Sequence, residues 1–170
     1  MEKRNVTVSA IVAAIVLIGD QLSKHWAETW LRTNGEYKLW DGVLHLRYVE
    51  NRGAAFGMMQ GGKWFFLAIT GIACAAMLYF LIKERKRLHF MMTFSLALLL
   101  SGAIGNLIDR VALGYVRDMI YVALIDFAVF NVADMAVTVG CCLLVLDLLF
   151  FKGKKYMEMM DKKPQTGENS

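Results

Sequence analysis

The sequence predicts an α-helical membrane protein: a four-transmembrane-helix bundle with a small extracytoplasmic β-sheet between the first and second spans. Three observations carry this. The 170 residues are 57% hydrophobic, with a mean hydropathy of +0.44, too apolar for a soluble domain. Four apolar runs, at about 6–23, 64–82, 90–108 and 132–151, each approach the roughly 20 residues that a helix needs to cross the hydrocarbon core. Finally, the basic residues fall in clusters between these runs rather than in one patch, so the net charge of +4 is no nucleic-acid footprint.

The first run is the shortest and contains Asp20 near its end. Lys3 and Arg4 precede it as they would in a secretory leader, but no small-x-small cleavage pattern follows, so a permanent span is expected. In the connection that follows, Trp26 and Trp30 suit an interfacial stretch. Residues 37–40 and 43–49 flank Asp41 and Gly42, a hairpin turn signal. Leu44, Leu46 and Tyr48 alternate with His45 and Arg47, the period of a half-buried strand. A polar turn at Glu50, Asn51 and Arg52 then leads into small residues up to Gly57. The second and third runs carry no charge and are separated by Lys83, Glu84, Arg85, Lys86 and Arg87, while Lys152, Lys154 and Lys155 follow the fourth. Basic loops stay cytoplasmic, so both termini and the middle loop are expected inside, with the connections at about 24–63 and 109–131 outside. One domain, 1–156, is expected, with a polar cytoplasmic tail at 157–170. Cys74, Cys141 and Cys142 lie inside apolar runs and read as small packing residues.

On this topology Asp20, Asp109, Asp118 and Asp134 all converge on the outer face. Asp118 falls in a loop-like segment after Gly114, and Asp134 stands at the mouth of the fourth span. A carboxylate there needs a partner or a task. Two brought together share one proton, which is the arrangement of an aspartic protease. Gly102, Asn106 and Arg110 are spaced by four and line one helix face. Packing plus a snorkelling arginine would explain Arg110 alone, but Asn106 one turn deeper favours a site. Asp20 and Lys24 form an i, i+4 pair suited to a structural ion pair, and Asn131 shares a helix face with Asp134. Asp109 is expected to pair locally with Arg110, and Asp126 to lack polar company. Asp147 is expected near the inner interface, within reach of Lys152 or Lys154. His25, His45 and His89 cluster with no carboxylate pair, which argues against zinc, and no serine-nucleophile signature is present. Acids alone leave two rivals, an ion-coupled carrier and a non-catalytic assembly protein. Carriers place such acids near the midplane and show repeats, and no repeat is evident here.

Five stretches, taken together, resemble the lipoprotein signal peptidase (signal peptidase II) family, bacterial aspartic proteases of the inner membrane. They are Asp20 to Lys24, Asn51 to Gly57, Gly102 to Arg110, Asp118 following Gly114, and Phe130 to Asp134. The resemblance spans the chain from the first run to the fourth. It implies removal of signal peptides from prolipoproteins by cleavage on the N-terminal side of a diacylglyceryl-modified cysteine. It further implies Asp118 and Asp134 as the catalytic pair, Asn51, Asn106, Arg110 and Asn131 lining the site, and Asp20, Lys24 and Gly102 supporting it. No metal or other cofactor is implied. The expected partners are the lipidated substrate, membrane lipids and globomycin-type inhibitors, with the enzyme itself a monomer. Three positions depart from the family pattern: Arg117 where an aliphatic residue is usual, Met135 where a small one is common, and Ser101 where a second glycine often stands.

Overall fold

The computed structural model describes residues 2–53 and 63–151, with side chains from Asn5 to Gly53 and from Trp64 to Phe151. The small residues of 54–57, Lys152 to Lys155 and the expected tail at 157–170 lie outside it. Helix α1 (Glu2–Trp26) continues through a π-helical turn, Ala27–Leu31, into a final turn, α2 (Arg32–Asn34). Strands β1 (Tyr37–Trp40) and β2 (Leu44–Asn51) follow, joined at Gly42, whose φ of 72° supplies the left-handed turn residue. Next come α3 (Lys63–Glu84), α4 (Phe90–Ala112), β3 (Val116–Val122), a 3-10 turn and α5 (Val132–Phe150). Four helical stretches are long and apolar enough to cross a membrane, the first of them Asn5–Asn34.

That first stretch is longer than the sequence indicated, because the tryptophan-bearing segment is itself helical. The π turn rotates the helix end so that Ala27 and Leu31 face the sheet. Both are buried and cluster with Met119 of β3, against which Leu46, Tyr48 and Ile120 also pack. Trp26 and Trp30, which stack on each other, stay on the outside.

The sheet is antiparallel in the order β1-β2-β3, so its third strand comes from the connection between α4 and α5. The segment holding Asp118 is therefore a strand and not a loop. Its period was invisible because Val116, Arg117, Asp118 and Met119 are all buried, and a strand covered on both faces shows no alternation. Val49 faces Asp118 across the ladder, and Asn51 faces Val116.

Helix α4 is the hub of the bundle, packing on α1, α3 and α5. Lipid supplies no hydrophobic drive between helices, so close backbone approach does the work. Small residues permit it. A Cβ on Gly140 would lie 2.9 Å from the Ser95 carbonyl oxygen, and one on Gly102 would collide with the Ala133 carbonyl oxygen. Where α3 meets α4, Leu88, Met92 and Leu96 form an apolar cluster with residues of α3 and α5. Beside them the buried Asp147 is met by His89 Nε2 at 2.8 Å; Lys152 and Lys154, expected within its reach, lie outside the described residues. Apolar side chains such as Ile15, Ile72 and Leu149 point outward, as lipid-facing positions should.

Gly140→Val is expected to force α4 and α5 apart and to destabilise the fold by about 1–3 kcal/mol, the usual cost of overpacking. Ile72→Val, on an outward face, should leave the unfolding midpoint in detergent unchanged. Equal midpoints for the two variants would refute the close helix approach.

Candidate active site

The site is built from the start of α5. Asn131 takes extended backbone geometry and caps the helix: its Oδ1 accepts from the Asp134 backbone N–H at 3.0 Å, and its own N–H donates to Asp134 Oδ2 at 3.1 Å. This reciprocal cap fixes the Asp134 carboxylate beside the helix start. The other Asp134 oxygen accepts from Asn106 Nδ2 at 2.7 Å. Asn131 is fully buried, and its Nδ2 reaches the other way, to Asp118 Oδ1 at 2.6 Å and Asn106 Oδ1 at 3.1 Å. One side chain thus links both carboxylates.

Asp118 comes from β3. Its second oxygen accepts from Asn51 Nδ2 at 3.0 Å. The ladder explains the contact, since Asn51 lies two residues past Val49, the direct partner of Asp118, and so shares its face. Burial pushes the Asp118 carboxyl up to about 7, and the negative charge of Asp134 adds to this while the amide donors of Asn51 and Asn131 oppose it.

Behind the pair lies a buried polar cluster. Lys24, fully buried, donates to Asn106 Oδ1 at 2.9 Å and pairs with Asp20 at 2.9 Å and Asp109 at 3.6 Å. Asp20 in turn accepts from the Ala133 backbone N–H at 2.9 Å. Gly105 makes room for it, because a Cβ there would sit 2.6 Å from Asp20 Oδ2. Asp20 and Lys24 are a structural pair as expected, but they also reach across to α4 and α5.

Three expectations about charged neighbours fail. Asp109 does not pair with Arg110, because adjacent helix residues point about 100° apart. It takes Arg117 instead, through Nη2 at 2.7 Å, Nε at 3.2 Å and the backbone N–H at 2.9 Å. Arg117 also reaches Glu28 at 3.0 Å and Gln21 at 3.2 Å. No local pattern linked these four residues; the one available signal was a basic residue where the family pattern has an aliphatic one. Asp126 is likewise not alone, accepting from the Tyr121 hydroxyl at 2.6 Å. His45 does meet two carboxylates, Glu36 at 2.5 Å and Asp41 at 3.8 Å, and it ties down the hairpin.

Asp118, Asp134, Asn51, Asn106 and Arg110 line one cavity of about 550 Å³. Its other wall is apolar, with Phe127, Phe130, Met135 and Val139. The Arg110 guanidinium lies 5.2 Å from the Phe66 ring centre of α3, at the edge of this space. Gly102 stays outside the cavity and acts at the α4–α5 crossing, against Ala133 and Val137. Chemically, the cavity offers two carboxylates sharing a buried amide, a nearby cation and an apolar wall.

Comparison with known proteins was made on this basis. The family model for signal peptidase (SPase) II matches residues 12–150. A lipoprotein signal peptidase of Streptococcus thermophilus (strain CNRZ 1066) is 46% identical over 142 residues, covering 83% of this chain and 92% of the relative. One from Clostridioides difficile (strain 630) is 43% identical over 145 residues, covering 85% and 97%. A solved structure described as a bacterial membrane enzyme is 33% identical, with a TM-score of 0.78 and 95% of each chain covered. Sequence and fold agree over nearly the whole length, and the chain belongs to the signal peptidase II family.

Proposed function

We propose that this protein removes signal peptides from prolipoproteins as an aspartic endopeptidase, with Asp118 and Asp134 as its catalytic pair. Family membership supports the reaction. The observation that carries the assignment is the linkage, through the buried Asn131, of two carboxylates, one from β3 and one from α5, that both line a partly apolar cavity.

The pair holds one proton at neutral pH. The ionised carboxylate takes a proton from a water as the water oxygen attacks the scissile carbonyl carbon. The protonated carboxyl donates to the carbonyl oxygen, giving a tetrahedral diol with no free oxyanion. As the diol collapses, the carboxyl that deprotonated the water gives its proton to the amide nitrogen, the other carboxylate takes a diol hydroxyl proton, the C–N bond breaks, and the released amine belongs to the lipidated cysteine. Which aspartate begins as the acid is a property of the coupled pair. Arg110 and Asn51 hold substrate backbone, and the wall of Phe127, Phe130, Met135 and Val139 accommodates the diacylglyceryl chains. Globomycin-type inhibitors occupy the same cavity. The enzyme acts as a monomer in the bacterial inner membrane, as one domain with both termini cytoplasmic and the cavity near the outer face. The basic loop at Lys83, Arg85, Lys86 and Arg87 supports this orientation.

Asp118→Asn and Asp134→Asn should each lower cleavage of a lipidated peptide by at least about 10²–10⁴-fold, the range of general acid–base catalysis, while leaving insertion and globomycin binding in place. Asp126→Asn should stay active. Near-normal turnover by either dyad variant, with deamidation excluded, would rule out the aspartic mechanism.

The Asp118 carboxyl, raised to about 7, stays protonated below that pH and ionises above it. A pair that needs one proton should therefore lose kcat/KM as pH rises through about 7. Asn51→Ala removes a donor that favours the charged form, so this alkaline limb should move upward; a limb unmoved by the change would contradict the assignment.

Asn106→Ala and Arg110→Ala should each reduce cleavage roughly 10- to 150-fold, as expected for losing a hydrogen bond to a charged group worth about 1.5–3 kcal/mol. Wild-type rates would return both residues to a packing role. Orientation is checked by single cysteines in a chain lacking its own: a probe added outside cells should label position 39 and spare position 86, and the reverse would invert the topology.

A further inference from the structure

A further cavity lies on the side of α4 away from the carboxylates. It has a volume of about 510 Å³ and is lined from α1, α3 and α4. Helices α1 and α3 both pack on α4, and the cavity is the crevice they leave between them. Its wall on α1 runs from Val6 to Leu17. That is about 16 Å along a helix, close to one leaflet of a roughly 30 Å hydrocarbon core. The crevice therefore spans the leaflet at the end of the bundle where α1 begins and α3 meets α4.

Its polar features are few: Ser9, Arg85, Thr93 and Ser101. Thr93 and Ser101 satisfy their hydroxyls on their own helix, at the carbonyls of His89 and Leu98. Ser9 does not: it lines the crevice, is 1% exposed, and its Oγ has no hydrogen-bond partner among the described residues. A buried hydroxyl without a partner is unfavourable and calls for an acceptor. At the mouth stands Arg85, exposed and without an ion pair among the described residues. Its neighbour Arg87 occupies the nearby carboxylate of Glu84, and Lys83 lies over the Tyr79 ring. The mouth is thus positively charged, a buried hydroxyl unpaired among the described residues lies beside the throat, and the depth is apolar.

We propose that this crevice is a binding site for one anionic phospholipid. An acyl chain fills the space between α1 and α3, a glycerol ester carbonyl accepts from Ser9 Oγ, and the phosphate meets Arg85. Charge complementarity selects the occupant. A signal peptide begins with basic residues, which the Arg85 cluster would repel, whereas an anionic headgroup satisfies both Arg85 and the lysines beside it.

The test uses the purified full chain in detergent with phosphatidylglycerol carrying a photoreactive diazirine along its acyl chain. Adducts should map to α1, α3 and α4 between positions 10–17, 78–82 and 97–104, and unlabelled phosphatidylglycerol should compete whereas phosphatidylcholine should not. Arg85→Gln should weaken competition about two- to fivefold, the range for an exposed charge pair. Ala14→Trp, which fills the crevice, should abolish these adducts yet leave peptide cleavage unchanged, because it faces away from the carboxylates. Adducts elsewhere, equal competition by phosphatidylcholine, or undiminished labelling of Ala14→Trp would each overturn the proposal. If the tryptophan variant does not fold, the headgroup preference and Arg85→Gln decide it.

Discussion

The geometry of the carboxylate pair depends on a helix cap. Asn131 must accept from the Asp134 backbone N–H to start α5, and this obligation holds its side chain where Nδ2 can reach Asp118. An isolated cap of this kind is worth about 0.5–2 kcal/mol. Here the same residue is fully buried and bonded on both sides. Its loss would therefore disturb helix start, strand position and carboxylate spacing together. Asp134 stands in the helix's first turn, where the backbone already demands a polar side chain, so under the proposed function a structural need and a chemical one are met by the same atoms.

The charges behind the pair follow a similar economy. Asp20, Lys24, Asp109 and Arg117 are two anions and two cations, all buried, joined by ion pairs and by hydrogen bonds to backbone groups. Such a cluster is poor evidence of net stability, since desolvation offsets attraction, but breaking one member costs about 3–5 kcal/mol. Its effect is rigidity. It joins α1, α4 and β3, and through Ala133 it reaches α5, the elements that carry the site apart from Asn51 on β2.

Much of the chain was legible. Four spans followed from apolar length alone, because a lipid-crossing helix must satisfy its backbone internally and must be apolar over a fixed distance. The hairpin at Asp41 and Gly42 followed from turn chemistry, and Asn106 and Arg110 from their i, i+4 spacing. Other features were not. Residues 116–119 concealed a strand, the π-helical turn at Ala27–Leu31 left no signal, Asp109 took Arg117 rather than Arg110, Asp126 found a partner where none was expected, and the contact of His89 with Asp147 was not foreseen.

The division has a physical basis. Sequence by itself determined whatever depends on neighbours along the chain: span length, turn type, helix face, and the family motifs that place Asp118 and Asp134 at one end of the bundle. Only the tertiary structure decided which buried groups meet. Lys24 lies 82 residues from Asn106, and Ala133 lies 113 from Asp20. No periodicity records contacts at that range, because they arise where separate elements close on one another and each buried polar group must take the partner that packing leaves within reach.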